Sequence, residues 1–396
     1  MNGHDLNKSL ARMIRNRYYD LVLADTLRYI ALALISLFVP IFLLKLNYSI
    51  FVIAVFELGV FIGSIIFHFI LLKNINKIKV KRAMIFSYLA DIIFYLFLYN
   101  ASLIMDAWGP YSLLLILSFI NIIASTFYWT AHHIYFFNSS DAKNGGRLLG
   151  ILNSIPVAIG VISPFLGGVL ISNFGFHITF FISILLLILA SIVLLFSRGI
   201  EADIYINIEK VFDFNYDIKN WIYFIEGLNY VATVFIWPIF MFVMAIKIIS
   251  MGLIYLFANM AYSIFTYFGG KISDQHGSRL IGRIGSVGHS LSLVFRALSE
   301  NVLMMSFSVT LGGFFGSLMH VALDSGFYKH SHEYQGSAIM NREMYMHLGR
   351  ISLVLLFLFT LLFLEAKTAL MVIIFFAAFL TFILNFIIEK DKSIID

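Results

Sequence analysis

Between Arg198 and Lys219 the chain reads RGIEADIYINIEKVFDFNYDIK, the longest polar interval in an otherwise apolar sequence. It carries Glu201, Asp203, Glu209, Asp213 and Asp217 and falls near the middle of 396 residues. Its two flanks resemble each other. Pro40-Ile41-Phe42 recurs as Pro238-Ile239-Phe240, an offset of 198, and Ala131, Phe136, Ser140 and Gly145 recur as Ala322, Phe327, Ser331 and Gly336, an offset of 191. Two matches in the same order read as an internal duplication, with the polar interval as its linker.

Hydrophobic residues make up 61% of the chain and charged residues 12%, a balance that no single water-facing surface can cover. The composition is that of an all-α polytopic membrane protein. A span needs about 20 apolar residues to cross roughly 30 Å of hydrocarbon. Stretches of that kind occur at 21–45, 49–72, 83–104, 111–137, 147–170 and 175–198, and again at 220–245, 248–270, 280–298, 302–328, 342–364 and 367–388. These twelve spans divide the chain into an amino-terminal segment (1–20), a six-helix bundle (21–198), a linker (199–219), a second six-helix bundle (220–388) and a tail (389–396).

The first twenty residues are polar and basic, without the short apolar core of a signal peptide, so the amino terminus is expected in the cytoplasm. Charge supports the same orientation. Of 27 Lys and Arg, only Arg28, Lys45, Lys247, Arg296 and Lys367 fall elsewhere than the cytoplasmic side of this arrangement, leaving 27 − 5 = 22 that obey the positive-inside rule. Both termini are then cytoplasmic, in an inner or plasma membrane. The +5 net charge is accounted for by topology and implies no nucleic-acid partner. With no cysteine, the chain has neither disulfides nor thiolate metal sites.

Ionisable residues inside spans are costly and usually face a bundle interior with a partner. Asp25 and Arg28 stand one helical turn apart in the first span, where they can satisfy each other or form an interfacial pair. Arg28 and Glu226 also occupy equivalent repeat positions, since 28 + 198 = 226, and are expected to meet across the cavity floor. Glu57 and Asp91 are candidates for proton coupling, or for protonated carboxyls bonded to a neighbouring helix. A polar stripe runs through the fourth span at Asn121, Ser125, Tyr128, His132 and Tyr135, spaced by four, three, four and three. The tenth carries Thr310, Ser317, His320 and Asp324, and the seventh Glu226, Asn229, Tyr230, Thr233 and Trp237. The sixth and twelfth have almost nothing polar and should face lipid. A three-helix unit repeated four times, with spans 1, 4, 7 and 10 lining a cavity, accounts for this pattern.

Over nearly its whole length the pattern resembles the major facilitator superfamily. Gly270, Asp274, Gly277 and Arg279 reproduce that family's short GxxxDxxGxR loop after the eighth span, while the first-half counterpart, Leu72 to Arg82, keeps only basic residues. The resemblance implies that Asp274 reaches the start of the fifth span near Gly146 and Arg147 and latches the halves. In the fifth span Gly160, Pro164, Gly167 and Gly168 resemble the family's glycine-proline motif of antiporters, with Ser163 in place of one glycine. Small residues there let helices approach closely.

Other chemistry is thin. His132 and His133 are adjacent and diverge on a helix, His330-Ser331-His332-Glu333 offers only an adventitious metal contact, and no phosphate loop or nucleophile motif occurs. No metal, no cofactor and no enzymatic activity are expected. The reading is a monomeric secondary transporter of a small solute, working by alternating access with proton-coupled efflux or antiport. Two alternatives fit the same residues: a non-transporting partner or sensor of the same fold, and a protein that handles lipids or other amphiphiles.

Overall fold

The computed structural model describes residues 19–139, 156, 158–197, 204, 206, 207, 211, 218–330 and 335–390. Among the described residues ten segments are long and apolar enough to cross a membrane. One of them, Ala158–Phe196, breaks at Gly175, whose φ of 83° suits a residue without a Cβ, and so makes two spans. The helix Ser278–Ala297 is long enough but too rich in Gly, Ser and Arg to count as apolar. Ten, plus one for the break and one for the polar helix, gives twelve.

The spans are α1 (Asp20–Lys45), α2 (Ile50–Ile78), α3 (Val80–Tyr99), α4 (Pro110–Ser139), α5 (158–174), α6 (176–196), α7 (Ile218–Val243), α8 (Ile248–His276), α9 (Ser278–Ala297), α10 (Val302–His330), α11 (Gln335–Leu361) and α12 (Ala366–Lys390). Their alternation puts residues 20, 218 and 390 on one side, the linker face, and the α1–α2 and α7–α8 turns on the other, the far face.

The duplication shows in the backbone. Asn47 and Ala245 take positive φ (67° and 57°), as do Lys79 and Gly277 (67° and 86°), and both pairs are 198 residues apart. The repeated Pro-Ile-Phe starts equivalent short helices, Val39–Lys45 and Trp237–Val243, each with proline in the first turn, where its missing N–H costs nothing. Each follows an irregular stretch, a 3₁₀ turn at Ser36–Phe38 and a π segment at Val231–Ile236.

Three boundaries differ from those expected. The basic stretch after residue 72 is helix as far as Ile78, and Gly270 to His276 continues α8 instead of forming a loop, so each reversal is compressed into one residue, Lys79 or Gly277. Span 11 begins at Gln335, which moves Arg342 and Arg350 from the cytoplasmic side into a buried helix.

Within each half, glycines and serines bring helices together. A Cβ on Gly167 would strike the Leu34 carbonyl of α1, one on Gly227 the Met346 carbonyl, and one on Gly349 the Phe224 carbonyl. Ser87, Ser183 and Ser290 donate to carbonyls of Ala124, Ala31 and Ala378 on neighbouring helices. α6 and α12 turn apolar rows outward, including Phe181, Leu185, Ile192, Phe375, Phe379 and Phe386, as lipid-facing helices should.

The halves touch at both faces. At the far face the short ends of α1 and α7 meet, and Gly168 of α5 lies on α8 at Ile248 and Gly252. At the linker face Phe137 of α4 packs on Phe327 and Tyr328 of α10 with ring centres 5.4 and 5.2 Å apart. The linker crosses this seam. Asn76 of α2 exchanges two hydrogen bonds with the Ile204 backbone (2.8 and 2.9 Å), and Ser337 of α11 does the same with Asn207 (2.9 and 3.2 Å).

Candidate functional site

Each half buries its own set of charges. In the first, Arg28 of α1 donates through Nε to Asp91 of α3 at 2.9 Å, and its guanidinium lies 3.6 Å from the centre of the Tyr128 ring. Asp25, one turn before Arg28, accepts from the hydroxyls of Tyr88 (3.1 Å) and Tyr128 (3.0 Å) and faces His132 at 3.7 Å. In the second, Arg342 of α11 holds Asp324 of α10 at 2.8 Å and Glu226 of α7 at 3.7 Å, and His320 lies 3.5 Å from Glu226. The composition repeats: two carboxylates, one arginine and one histidine in each half. With both imidazoles neutral, each set carries one net negative charge. His132 lies within electrostatic reach of Asp324 across the seam, and His320 and Asp324 each leave 37% of the side chain accessible.

A third cluster lies in the seam itself. Glu343 of α11 faces His68 of α2 (3.6 Å), His133 of α4 (3.2 Å) and His347 one turn along its own helix (3.8 Å). Two turns on from Glu343, the Arg350 guanidinium lies over the Tyr230 ring at 4.3 Å and within electrostatic reach of Glu57.

Arg28 and Glu226 therefore do not pair with each other. Each has a nearer partner of opposite sign inside its own half. Arg28 likewise takes Asp91 in preference to Asp25, and the coupling candidate Asp91 is half of that ion pair. Of the fourth-span stripe, Tyr128 and His132 converge on Asp25, while Asn121 and Ser125 stay half-buried and the Ser125 hydroxyl donates to the Asn121 carbonyl of its own helix. Asn229 accepts from Thr381 of α12 at 2.7 Å, Tyr230 sits under Arg350, and the Ser317 hydroxyl donates to the Phe314 carbonyl. Trp237 is fully buried against Phe240 and belongs to the packed core, not to a cavity wall.

In the fifth-span motif, a Cβ on Gly160 would enter the Tyr29 ring, Pro164 starts the helix after a turn at 161–162, Gly167 meets α1 and Gly168 meets α8. Gly270 is helical, Gly277 makes the reversal, and Arg279 is half-buried at the start of α9. The Asp274 side chain, Gly146 and Arg147, and with them the latch, lie outside the described residues, as do His332 and Glu333.

The seam cluster was missed in the sequence, although a signal was present. Glu343, His347 and Arg350 are spaced by four and three, and Glu57, Phe61, Ser64 and His68 by four, three and four. With an eleventh span read from 342, the first of these falls at a membrane edge, where a charge is inexpensive.

The Major Facilitator Superfamily sequence profile matches residues 21–210. An uncharacterized protein of Bacillus subtilis (strain 168), YqgE, is 24% identical over 348 residues, covering 83% of this chain and 79% of that protein. Among solved structures the fold is similar to a bacterial homologue of the iron transporter ferroportin in an outward-facing state (TM-score 0.67, 15% identity, 94% of this chain and 98% of that one). It is similar to the superfamily transporter FucP in an outward conformation (0.67, 12%, 94% and 99%) and to the nucleoside transporter NupG (0.62, 13%, 94% and 99%). The profile match lies on the first half, the fold likeness spans both, and the turns at Lys79 and Gly277 keep the two halves in one register: the chain has the fold of the major facilitator superfamily.

Proposed function

We propose that this chain is a secondary transporter that carries a small cationic solute by alternating access, in exchange for protons. The observation that carries this reading is the seam: the halves touch through two separable sets of contacts, one at each face, which is what opening one face at a time requires. The charge sets supply the selectivity. Each holds two carboxylates against one arginine and is short by one positive charge when its histidine is neutral, so a bound cation and a bound proton are alternatives there. Glu57, set against Arg350 at the seam, is the coupling carboxylate in this reading. Asp91, already neutralised by Arg28, is not. The glycine contacts of α5 with α1 and α8 support exchange by keeping that helix close to both halves. Both termini and the linker face are cytoplasmic in this scheme.

Proteoliposomes loaded with a panel of cationic, neutral and anionic solutes, with and without a pH gradient, test it. Gradient-dependent movement of cations, lost in Glu57→Gln, is expected. Movement confined to anions, or wild-type pH dependence in Glu57→Gln, would overturn the cation or the coupling assignment respectively.

A further inference from the structure

From the seam cluster we infer a binding site for a divalent first-row transition metal of the zinc type, ligated by His68, Glu343 and His347, that clamps the two halves together. The three residues are buried, and one ligand atom from each lies within 4.8 Å of the others. Glu343 Oε2 stands 3.6 Å from His68 Nε2 and 3.8 Å from His347 Nε2. Metal–nitrogen and metal–oxygen bonds of about 2.0–2.1 Å in a tetrahedron imply ligand separations of roughly 3.4 Å, so small side-chain adjustments close the site. Among the described residues two imidazoles and one carboxylate leave the fourth position open.

The orientations of His68 and Glu343 point the same way. His68 Nδ1 donates to the Ser64 carbonyl at 2.9 Å, which fixes the tautomer and leaves Nε2 as a lone pair. That Nε2 is fully buried, has no hydrogen-bond partner and is aimed at Glu343 and His347. A bare imidazole nitrogen in such a place is an unmet acceptor, and a cation meets it. The other carboxylate oxygen, Glu343 Oε1, is held by His133 Nε2 at 3.2 Å, and His133 Nδ1 is held in turn by the Tyr328 hydroxyl at 2.8 Å. Support of this kind from behind is what orients a metal-binding carboxylate.

Arg350 is the one feature against a cation. Its Nη1 is 3.4 Å from Nδ1 and 3.5 Å from Nε2 of His347, at the long limit of a hydrogen bond to either nitrogen, so it is a weak competitor for the ring. Glu57, within electrostatic reach of Arg350, offsets its charge. A divalent ion with Glu343, Glu57 and Arg350 then sums to one net positive charge, the same as a metal held by two histidines and one carboxylate alone.

His68 belongs to the first half, and Glu343 and His347 to the second, so the ion joins them. Its effect as a clamp rests on the rocking motion proposed above, whereas its binding does not.

Full-length protein without a polyhistidine tag, carrying His330→Gln and His332→Gln to remove the two histidines of the His330-Ser331-His332-Glu333 sequence, is loaded with zinc and studied by X-ray absorption. One zinc per chain with two imidazoles is expected. No retained zinc, or a first shell with fewer than two imidazoles, overturns the site, and this arm needs no change to the ligands. By titration, His68→Leu and Glu343→Gln should each weaken zinc binding at least roughly tenfold, with His177→Gln, remote at the far face, unchanged. Equal affinity in all of them also overturns it. The chain has no native cysteine, so spin labels at Lys77→Cys and Lys390→Cys report the linker face directly. Zinc should narrow their distance distribution, and a chelator should restore it. A distribution that moves with transported solute but not with zinc refutes the clamp alone; one that moves with neither refutes the rocking motion beneath it.

Discussion

Asp91 lies in an apolar helix, 2.9 Å from the Arg28 guanidinium, and both are buried. Removing one member leaves the other charge uncompensated in low dielectric, at a cost of about 3–5 kcal/mol, while removing both is far cheaper. Asp91→Asn and Arg28→Leu should therefore each lower the thermal midpoint of the detergent-solubilised protein more than the double variant does. Arg28→Leu combined with Glu226→Gln should instead be additive, because those residues have separate partners. Additivity in the first pair and coupling in the second would put the sequence-based pairing of Arg28 with Glu226 back in force. A second residue-scale prediction concerns Lys79. With φ 67° and ψ 140° it occupies a region suited to glycine, the residue its repeat-mate Gly277 supplies at φ 86° and ψ 138°. Lys79→Gly should raise the midpoint, by relief on the order of 1 kcal/mol; a lowered midpoint would mean that the lysine side chain is worth more than the strain.

At the scale of the helix, glycine has two uses here. Gly227 and Gly349 let α7 and α11 touch within the second half, whereas Gly168 and Gly252 let α5 and α8 touch between halves. Gly349→Val should prevent folding, since its Cβ meets the backbone of a helix in the same half, whereas the Cβ of Gly252 meets the backbone of the other half, which can move away. Gly252→Val should fold and hold the far face apart, read as a longer distance between spin labels at Asn100→Cys and Asn301→Cys. A folded Gly349→Val, or an unchanged distance in Gly252→Val, would reverse the assignment. Twelve spans and their pairing were legible in the sequence because hydropathy and the offset of 198 are chain-local signals. The Pro-Ile-Phe repeat reappears as two short helices in contact. What was not legible was which charges meet. Arg28 and Asp91 are 63 residues apart, His133 and Glu343 are 210 apart, and no spacing within one helix encodes either contact. Buried ion pairs also disguise their helix: Arg342 and Glu343 made the start of α11 look like a membrane edge.

For the molecule as a whole, the contacts of the linker predict which face should open more easily. It reads as a polar connector, and its acidic composition gives no hint of a fixed path. Yet Ile204 and Val211 are buried, Asn76 holds one stretch to α2, and Ser337 and Asn341 hold the next to α11. A strap bonded to both halves across the linker face resists their separation there and leaves the far face untouched. Each of these hydrogen bonds contributes about 1 kcal/mol net. Losing the four bonds of Asn76 and Ser337 together, about 4 kcal/mol, should then shift the balance between linker-face-closed and linker-face-open states by a factor on the order of one thousand. In Asn76→Ala/Ser337→Ala the labels at Lys77→Cys and Lys390→Cys should populate a longer distance, and those at Asn100→Cys and Asn301→Cys a shorter one. Restoring zinc should oppose the shift, because the His68–Glu343–His347 site and the strap close the same seam from different depths. If both label pairs keep their parent distributions, the strap lies on the seam without holding it, and the closing force must come from the packing of Phe137 on Phe327 and Tyr328 and from the buried glutamate with its three histidines.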